Sequence, residues 1–383
     1  MSKRRKVRTE FRKNRSQRTR HTNWTRQFHS ETIDDQNLPA GQRIGKDESS
    51  RKRTVWVSDP VDGGDGESLL SSTLDVDESS TRAGRVLCVL GPVSEVQDAA
   101  NGEIYHCATR RLLTTLSTTE RHVVAAGDRV RFSPAVQGTS LRDGTIERVE
   151  PRRATICRTV RGRRHIIVTN VDQLLIITSA AEPRLKPNLI DRLLVTAEKG
   201  QIDPLLCINK IDLVDPASLQ PLVGVYSQMG YRVLLLSAKA DVGIDRLRRA
   251  LKNRASVVTG QSGVGKSSLL NAVDPVLELK VREVSAENQK GRHTTTTARL
   301  LPLACGGYVV DTPGVRQFQL WDVIAAEVAG FYRDLRPYVS RCRFPNCTHT
   351  HEDDCAVKNA VADGRLDERR YASYCHLYAG DFE

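Results

Sequence analysis

Residues 260–267 read Gly260-Gln261-Ser262-Gly263-Val264-Gly265-Lys266-Ser267 and lie between an apolar run, 255–259, and a helical run that begins at Ser268. A strand, a glycine-rich turn and a helix in this order predict a phosphate-binding loop. The glycines let backbone N–H groups turn toward phosphate oxygens, and the N-terminus of the helix adds partial positive charge. We expect Lys266 to reach the β and γ phosphates and act in catalysis, Ser267 to bind Mg²⁺, and Ser268 to complete the binding segment.

A second motif precedes this loop in the chain and is expected to select the base. Asn209-Lys210-Ile211-Asp212 follows the apolar run 204–208. The carboxylate of Asp212 can accept hydrogen bonds from both the ring N–H and the exocyclic amine of guanine, a donor pair that adenine lacks. Asn209 is expected to brace the loop, and the stem of Lys210 to cover the ring. The motif therefore predicts GTP and GDP as ligands in preference to ATP.

A third motif, Ser237-Ala238-Lys239, ends another apolar run, 232–236. The backbone N–H of Ala238 could meet guanine O6 there, because ligands bind where parallel strands end. Both base motifs come before the phosphate loop, whereas an ordinary GTPase has the phosphate loop first. The sequence therefore predicts a circularly permuted α/β GTPase core.

The remaining part of the expected site follows the phosphate loop. Asp311-Thr312-Pro313-Gly314 ends the apolar run 308–310. Its Asp311 carboxylate can hold Mg²⁺ through water, and the Gly314 N–H can meet the γ-phosphate. These contacts are the ones that hydrolysis would remove.

A switch segment is expected at Lys290-Gly-Arg-His-Thr-Thr-Thr-Thr297. We expect Thr295 to complete the Mg²⁺ shell, with Thr294 and Thr296 as alternatives. Many GTPases place a water-orienting Gln directly after the Gly that corresponds to Gly314, but this chain has Val315 there, and an apolar side chain cannot orient water. We therefore hypothesise that His293 positions the attacking water once a partner orders the segment; a surface histidine without a catalytic role is the alternative.

Composition and patterning divide the 383 residues into several parts. A basic and then acidic extension, 1–83, reads as disordered. Short apolar segments between turn signals over 84–160 predict an all-β OB-type barrel, although an SH3-like barrel fits the same pattern. Strand and helix patterns alternate over 161–335, which predicts the α/β P-loop GTPase core. Residues 336–383 are expected to form a small zinc-binding domain with helices.

The overall charge and the cysteines narrow the class of protein. A net charge of +12 favours a polyanionic partner such as RNA, because binding of clustered lysine and arginine side chains to phosphates releases counterions. No apolar run is long enough to cross a bilayer, so we expect a cytoplasmic protein without a membrane partner. Most of the nine cysteines are scattered singly, which is typical of small core residues rather than of a disulfide framework.

Three cysteines crowd together and indicate a metal site. Cys342, Cys347 and Cys355 span a short segment that also contains His349 and His351. Three thiolates and one imidazole are the ligand set of a closed structural zinc site, with either histidine as the nitrogen ligand. Zinc would hold together a small domain that cannot build a core by itself.

The permuted order, Gly291-Arg-His-Thr-Thr295, Asp311-Thr-Pro-Gly-Val-Arg316 and the cysteine spacing together resemble the ribosome small-subunit-dependent GTPases, the RsgA family. The resemblance covers about residue 84 to the C-terminus. It implies an OB domain, a permuted GTPase core and a zinc domain that bind the 30S subunit and 16S rRNA late in its maturation, with GTPase activity stimulated by the subunit. The family pattern also favours His349 over His351 as the zinc ligand. A monomer is expected.

Two other interpretations remain at this point. The chain could be a GTPase that acts on another RNA particle. Alternatively, it could be an RNA-binding scaffold that holds GTP as a structural or sensing ligand with little hydrolysis, which Val315 favours.

Overall fold

A computed structural model describes residues 4–10, 52–58, 80–110, 113, 123–135, 142–160, 163–279, 298–311 and 323–380. Within the N-terminal extension it describes two strands, β1 (Arg4–Glu10) and β2 (Lys52–Ser58), which pair antiparallel with Arg4 opposite Ser58. The prediction of a disordered extension did not anticipate this pairing, because the two strands are far apart in sequence. The other residues of the extension before residue 80 lie outside the described ranges.

Five strands form a closed barrel whose order identifies it as an OB-type barrel. The strands are β3 (Arg82–Leu90), β4 (Val93–Asp98), β5 (Ile104–Thr109), β6 (Arg129–Pro134) and β7 (Asp143–Val149). They pair in the order β3-β4-β5-β7-β6, and β6 returns to β3; the β5–β7 pair is parallel and the others are antiparallel. Buried Val86, Cys107, Phe132 and Ile146 fill the interior.

A hairpin follows the barrel, made of β8 (Thr155–Val160) and β9 (Arg163–Thr169). The predicted boundary after residue 160 falls between these two strands. Asp128, fully buried in the barrel, accepts hydrogen bonds from Thr169 Oγ1 at 2.7 Å and from Arg152 Nε at 2.9 Å. The hairpin and the barrel are therefore joined by a buried polar cluster.

The α/β core contains five parallel strands, β10 (Gln173–Ser179), β11 (Asp203–Asn209), β12 (Arg232–Leu235), β13 (Ala255–Thr259) and β15 (Tyr308–Asp311). They lie in the order β12-β11-β10-β13-β15, and β14 (Arg299–Pro302) adds an antiparallel strand beside β15. The strands β10 and β11 are buried almost throughout, as expected for a parallel sheet covered on both faces.

Helices cover both faces of this sheet. They are α1 (Pro187–Lys199), α2 (Gln220–Gln228), α3 (Ile244–Leu251) and α4 (Lys266–Val273). Leucines and isoleucines of α1 and α2 pack on one face, and those of α3 and α4 pack on the other. The two apolar clusters hold the strand ends in place, and the predicted motifs lie at those ends.

The barrel joins the α/β sheet edge to edge. Arg299 at the start of β14 lies opposite Cys88 of β3, so that the two sheets are continuous. Arg299 also forms an ion pair with Glu95 at 2.9 Å, and the Tyr308 hydroxyl donates to Gln97 Oε1 at 2.7 Å. In the chain, the contacted strand β14 follows the predicted switch segment, and the contacted strand β15 ends at Asp311 of the Asp311–Gly314 motif.

A C-terminal module packs against α1. It contains α5 (Ala325–Phe331), α6 (Arg336–Val339), α7 (Ala356–Ala362) and α8 (Glu368–Ala379). Val195 of α1 shares a buried cluster with Tyr332, Val357 and Tyr374. Helix α5 precedes the predicted boundary at residue 336 but packs in this same cluster.

Among the described residues, no helix is long and apolar enough to span a membrane.

Candidate functional site

The phosphate loop has a backbone that only glycine fits at two positions. Gly260 has φ 146°, and a Cβ atom there would lie 2.0 Å from the Ile177 carbonyl oxygen. Gly265 has φ 90°, and a Cβ atom would lie 2.4 Å from Asn209 Nδ2. Val264 between them is buried. The loop is therefore clamped against β10 and against the base motif, so that a side chain at either glycine would force it away from its position.

Lys266 begins α4 and folds back over the loop. Its ammonium group donates to the carbonyl oxygens of Gly260 at 2.9 Å and Gln261 at 2.8 Å. The ammonium therefore lies over the turn where phosphate oxygens would bind, while Ser267 and Ser268 lie half-buried in the first turn of α4. A lysine at the mouth of a glycine turn and a helix N-terminus form the donor set that a polyphosphate needs.

Asn209 connects all three predicted nucleotide motifs. Its side chain is buried, and its Nδ2 donates to the Val264 carbonyl oxygen at 2.8 Å. Its Oδ1 accepts from the Ala238 N–H at 3.3 Å. This second hydrogen bond is long, so the Ala238 N–H can also turn toward an acceptor on a bound base. The amide thus holds the base motif against the phosphate loop on one side and the third motif on the other.

Asp212 is presented to solvent as an ionised acceptor. The buried Ser237 hydroxyl donates to Asp212 Oδ1 at 2.5 Å, and this hydrogen bond lowers the pKa of the Asp212 carboxyl. Ser237 Oγ in turn accepts from the Ala240 N–H at 3.0 Å. The carboxylate therefore keeps its charge and a fixed direction, as recognition of two N–H donors on guanine requires.

Lys210 occupies the left-handed region with φ 61°, at the N-terminus of a short 3₁₀ turn, Ile211–Leu213. Its ammonium donates to the Glu182 carbonyl oxygen. Ile211 is buried below the turn and anchors it, and Lys239 lies exposed after β12. No sequence pattern indicates the role of Glu182, because a main-chain acceptor can come from any residue type.

Part of the predicted site cannot be compared with the structure. Asp311 ends β15 beside β13, at the same edge of the sheet as the phosphate loop. The predicted catalytic residues His293 and Thr295, the γ-phosphate contact Gly314, and Val315 all lie outside the described residues. Their roles stay predictions.

The cysteine cluster of the C-terminal module has the geometry of a tetrahedral metal site. Ligand atoms of Cys342, Cys347, His349 and Cys355 all lie within 4.8 Å of one another. His349 Nδ1 is 3.4 Å from the sulfurs of both Cys342 and Cys355, which are 3.9 Å apart. A tetrahedron with Zn–S bonds of about 2.3 Å has edges of about 3.8 Å, and the largest separation in the cluster exceeds this by only about 1 Å, so the donor set fits zinc.

His349, rather than His351, lies with the three sulfurs. His349 is buried, whereas the His351 side chain is 81% exposed and faces Glu352. Burial lowers the pKa of His349, so the imidazole is neutral, which is the form that binds a metal. The hydroxyls of Tyr371 and Tyr374 donate to the His349 and Thr348 carbonyl oxygens and tie α8 to the cluster.

Comparison with known proteins gives consistent matches over most of the chain. The family model described as RsgA GTPase matches residues 149–321. "Small ribosomal subunit biogenesis GTPase RsgA" of Sodalis glossinidius is 40% identical over 301 residues, which cover 77% of this chain and 84% of that protein. The protein of the same name from Chlorobaculum tepidum is 38% identical over 305 residues, covering 78% and 97%.

Two solved structures share the fold. The crystal structure of YjeQ from Thermotoga maritima matches with a TM-score of 0.65 and 34% identity, covering 79% of this chain and 98% of that one. YloQ, described as a circularly permuted GTPase, matches with a TM-score of 0.62 and 28% identity, covering 79% and 95%. The order of motifs and the pairing of strands in this chain agree with that description.

Proposed function

Because the chain belongs to the RsgA family of GTPases, we propose that it binds GTP, hydrolyses it to GDP and phosphate, and acts in biogenesis of the small ribosomal subunit. The observation that carries the nucleotide assignment is the buried Asn209 amide, which joins the base motif to the phosphate loop at 2.8 Å. A guanine-selecting carboxylate and a phosphate-binding lysine are thereby fixed at one edge of one sheet.

The nucleotide site divides into a base end and a phosphate end. Asp212 accepts from guanine, Ala238 donates to O6, and the Lys210 stem lies along the ring. Residues Gly260–Ser268 receive the phosphates, where Lys266 exchanges its two carbonyl partners for phosphate oxygens. Ser267 and Asp311 would hold Mg²⁺, and the ion would supply positive charge against the phosphates.

The hydrolytic step needs a group that orients water, and Val315 cannot supply it. Thr295 is proposed as the switch ligand of Mg²⁺ and His293 as the group that positions the water. The small subunit would order this segment, which gives a reason for stimulation by the subunit.

The partner is proposed to be the small subunit and its 16S rRNA, bound in the cytoplasm by a monomer. Support comes from the charge of the chain and from exposed arginines on the C-terminal module. Three of these arginines form ion pairs with carboxylates of the same module at its surface: Arg343, Arg365 and Arg369. Surface pairs of this kind contribute little stability, about 0–1 kcal/mol, so RNA phosphates can displace the carboxylates.

One structural zinc ion is proposed for Cys342, Cys347, His349 and Cys355. These four residues occupy all tetrahedral positions, so the ion would be structural rather than catalytic. The ion would cross-link the loop 342–355, which the Tyr371 and Tyr374 hydroxyls tie to α8. The OB barrel, 84–160, and the zinc module, 336–383, are proposed as the RNA-binding domains on either side of the GTPase core, 161–335.

The test is GTP turnover by the full chain alone and with purified small subunits, large subunits or free RNA. Stimulation by small subunits only, lost in Lys266→Ala, is the expected result. Stimulation by large subunits or by free RNA instead would mean that the protein acts on that RNA and not on the small subunit. No stimulation by any of the three, with GTP still bound, would favour the RNA-binding scaffold that Val315 suggests.

A further inference from the structure

The turn that follows β10 contacts the base motif and has no role in the site described so far. Ser179 is the last residue of β10 and lies opposite Asn209 in the sheet. The chain then turns through Ala180 and Glu182 toward α1, and the Ala180 N–H donates to the Asn209 carbonyl oxygen at 2.8 Å. The turn is therefore fastened to the same residue that organises the nucleotide motifs.

Two donors converge on one main-chain oxygen in this turn. The Ser179 hydroxyl donates to the Glu182 carbonyl oxygen at 2.9 Å, and the Lys210 ammonium donates to the same oxygen. Ser179 is fully buried, whereas the Glu182 side chain points to solvent. Because a carbonyl oxygen has two lone pairs, it can accept both bonds at once. The buried hydroxyl fixes the carbonyl, and the carbonyl fixes the ammonium.

We propose that Ser179 is a positioning residue of the nucleotide site, which acts through the Glu182 carbonyl oxygen to hold the Lys210 side chain extended along the face of the guanine ring. The inference rests on the proposed function, because it concerns how the same site binds guanine nucleotides. A free lysine side chain has many rotamers, and ordering it on binding costs free energy. A side chain already held in place avoids that cost, so the preordered Lys210 strengthens binding.

Ser179 and Lys210 are therefore expected to be energetically coupled in GDP binding. If Ser179 acts through Lys210, the Ser179 hydroxyl contributes nothing to GDP affinity once the Lys210 ammonium is removed. A merely structural hydroxyl would contribute the same amount with or without that ammonium. A double-mutant cycle separates the two cases, because it measures the interaction between the residues directly.

The experiment measures binding and release of fluorescently labelled GDP by the full chain. The variants are Ser179→Ala, Lys210→Ala and the double variant, with Ser256→Ala as the matched control. Ser256 is also fully buried and lies in the neighbouring strand β13, but its hydroxyl accepts from Gln173 at 2.8 Å, away from the base motif.

Ser179→Ala is expected to weaken GDP binding about three- to tenfold, the size of one net hydrogen bond, mainly through faster release. Ser256→Ala is expected to leave GDP binding unchanged. The double variant should bind GDP as Lys210→Ala does. Additive losses, or an unchanged affinity in Ser179→Ala while the original chain binds GDP, would overturn the inference alone. If the original chain does not bind GDP, or if ATP competes equally, the proposed function fails as well.

Discussion

Asn209 shows how one side chain can organise a site whose parts lie far apart in sequence. Its amide has a donor and an acceptor group, and each meets a backbone group of a different segment, Val264 and Ala238. The contact with Val264 is buried, so its carbonyl oxygen would be left without a partner if the amide were lost. The residue therefore contributes to stability and to binding through the same two hydrogen bonds.

Replacing Asn209 should test this double role. Asn209→Ala is expected to lower the free energy of unfolding by about 1–3 kcal/mol for each buried group left unpaired, and to weaken GDP binding because the two loops lose their common anchor. Thermal unfolding and GDP titration measure the two effects. Asn188→Ala, at an exposed position of α1, is the control and should change neither. Unaltered GDP affinity in Asn209→Ala would contradict this account of the site.

Asp212 is expected to determine which base the site binds. Asp212→Asn replaces one acceptor oxygen with an N–H₂ donor, which would face the guanine amine and repel it. Xanthine has a carbonyl oxygen at that position, so the variant should bind GTP more weakly and xanthosine triphosphate more tightly than the original chain does. A loss of at least about 100-fold for GTP is expected, because a site built around hydrogen bonds discriminates strongly. Competition against labelled GDP measures the preference; a variant that still prefers guanine would show that Asp212 does not contact the base.

At the scale of elements, the zinc loop depends on which histidine completes the ligand set. His349→Ala is expected to lose bound zinc and to lower the melting temperature, because the metal would hold the loop 342–355 together and the tyrosine hydrogen bonds tie that loop to α8. His351→Ala is the matched control, two residues away and exposed, and should keep one zinc per chain. Metal analysis and thermal unfolding provide the readouts. Equal zinc content in the two variants would exclude His349 as a ligand.

Strand order explains both the success and the limit of the sequence predictions. The motifs after β11, β12 and β13 were expected to meet because the carboxyl ends of parallel strands share one edge, and they do meet. The parallel pairing of β5 with β7 distinguishes an OB-type barrel from an SH3-like barrel, and no local sequence pattern predicts that pairing. For the same reason the Glu182 carbonyl and the contact of Arg299 with Glu95 could not be predicted from the sequence.

At the scale of the whole molecule, the joint between the barrel and the hairpin is polar and centres on the buried Asp128. Asp128 accepts from Ala125 N–H, from Arg152 through two nitrogens and from Thr169. Asp128→Ala would leave the Arg152 guanidinium without its buried partner. A loss of about 3–5 kcal/mol in unfolding free energy is expected, measured by denaturant titration. Asp245→Ala, which breaks an exposed pair with Arg248, should cost no more than about 1 kcal/mol. Similar losses in the two variants would mean that the joint is not a stabilising contact.

The C-terminal module is held to the GTPase core by a second buried charge. Arg370 of α8 is 3% exposed; it binds Asp334 through two nitrogens at 2.9 Å and approaches Asp191 of α1 at 2.5 Å. Tyr226 also donates to Asp191, at 2.7 Å. Burial raises the pKa of Asp191, and the Arg370 charge opposes that rise. Docking of the module therefore favours the ionised form of the Asp191 carboxylate.

Removing the Arg370 charge should make docking of the module sensitive to pH. In Arg370→Ala the buried Asp191 carboxylate loses its counter-charge, with an expected cost of about 3–5 kcal/mol near neutral pH. The folded-state pKa of Asp191 then lies further above its unfolded value, so folding of the variant is favoured at low pH and loses that advantage as the pH rises through the folded-state pKa. The loss of unfolding free energy relative to the original chain should therefore be smaller at pH 5 than at pH 8 in denaturant titrations.

The control is Arg369→Ala, at the exposed neighbour that pairs with Asp367, which should show little deficit in unfolding free energy at either pH. A deficit in Arg370→Ala that does not change with pH would mean that Asp191 remains ionised without Arg370, and that Tyr226 alone is enough to hold the carboxylate.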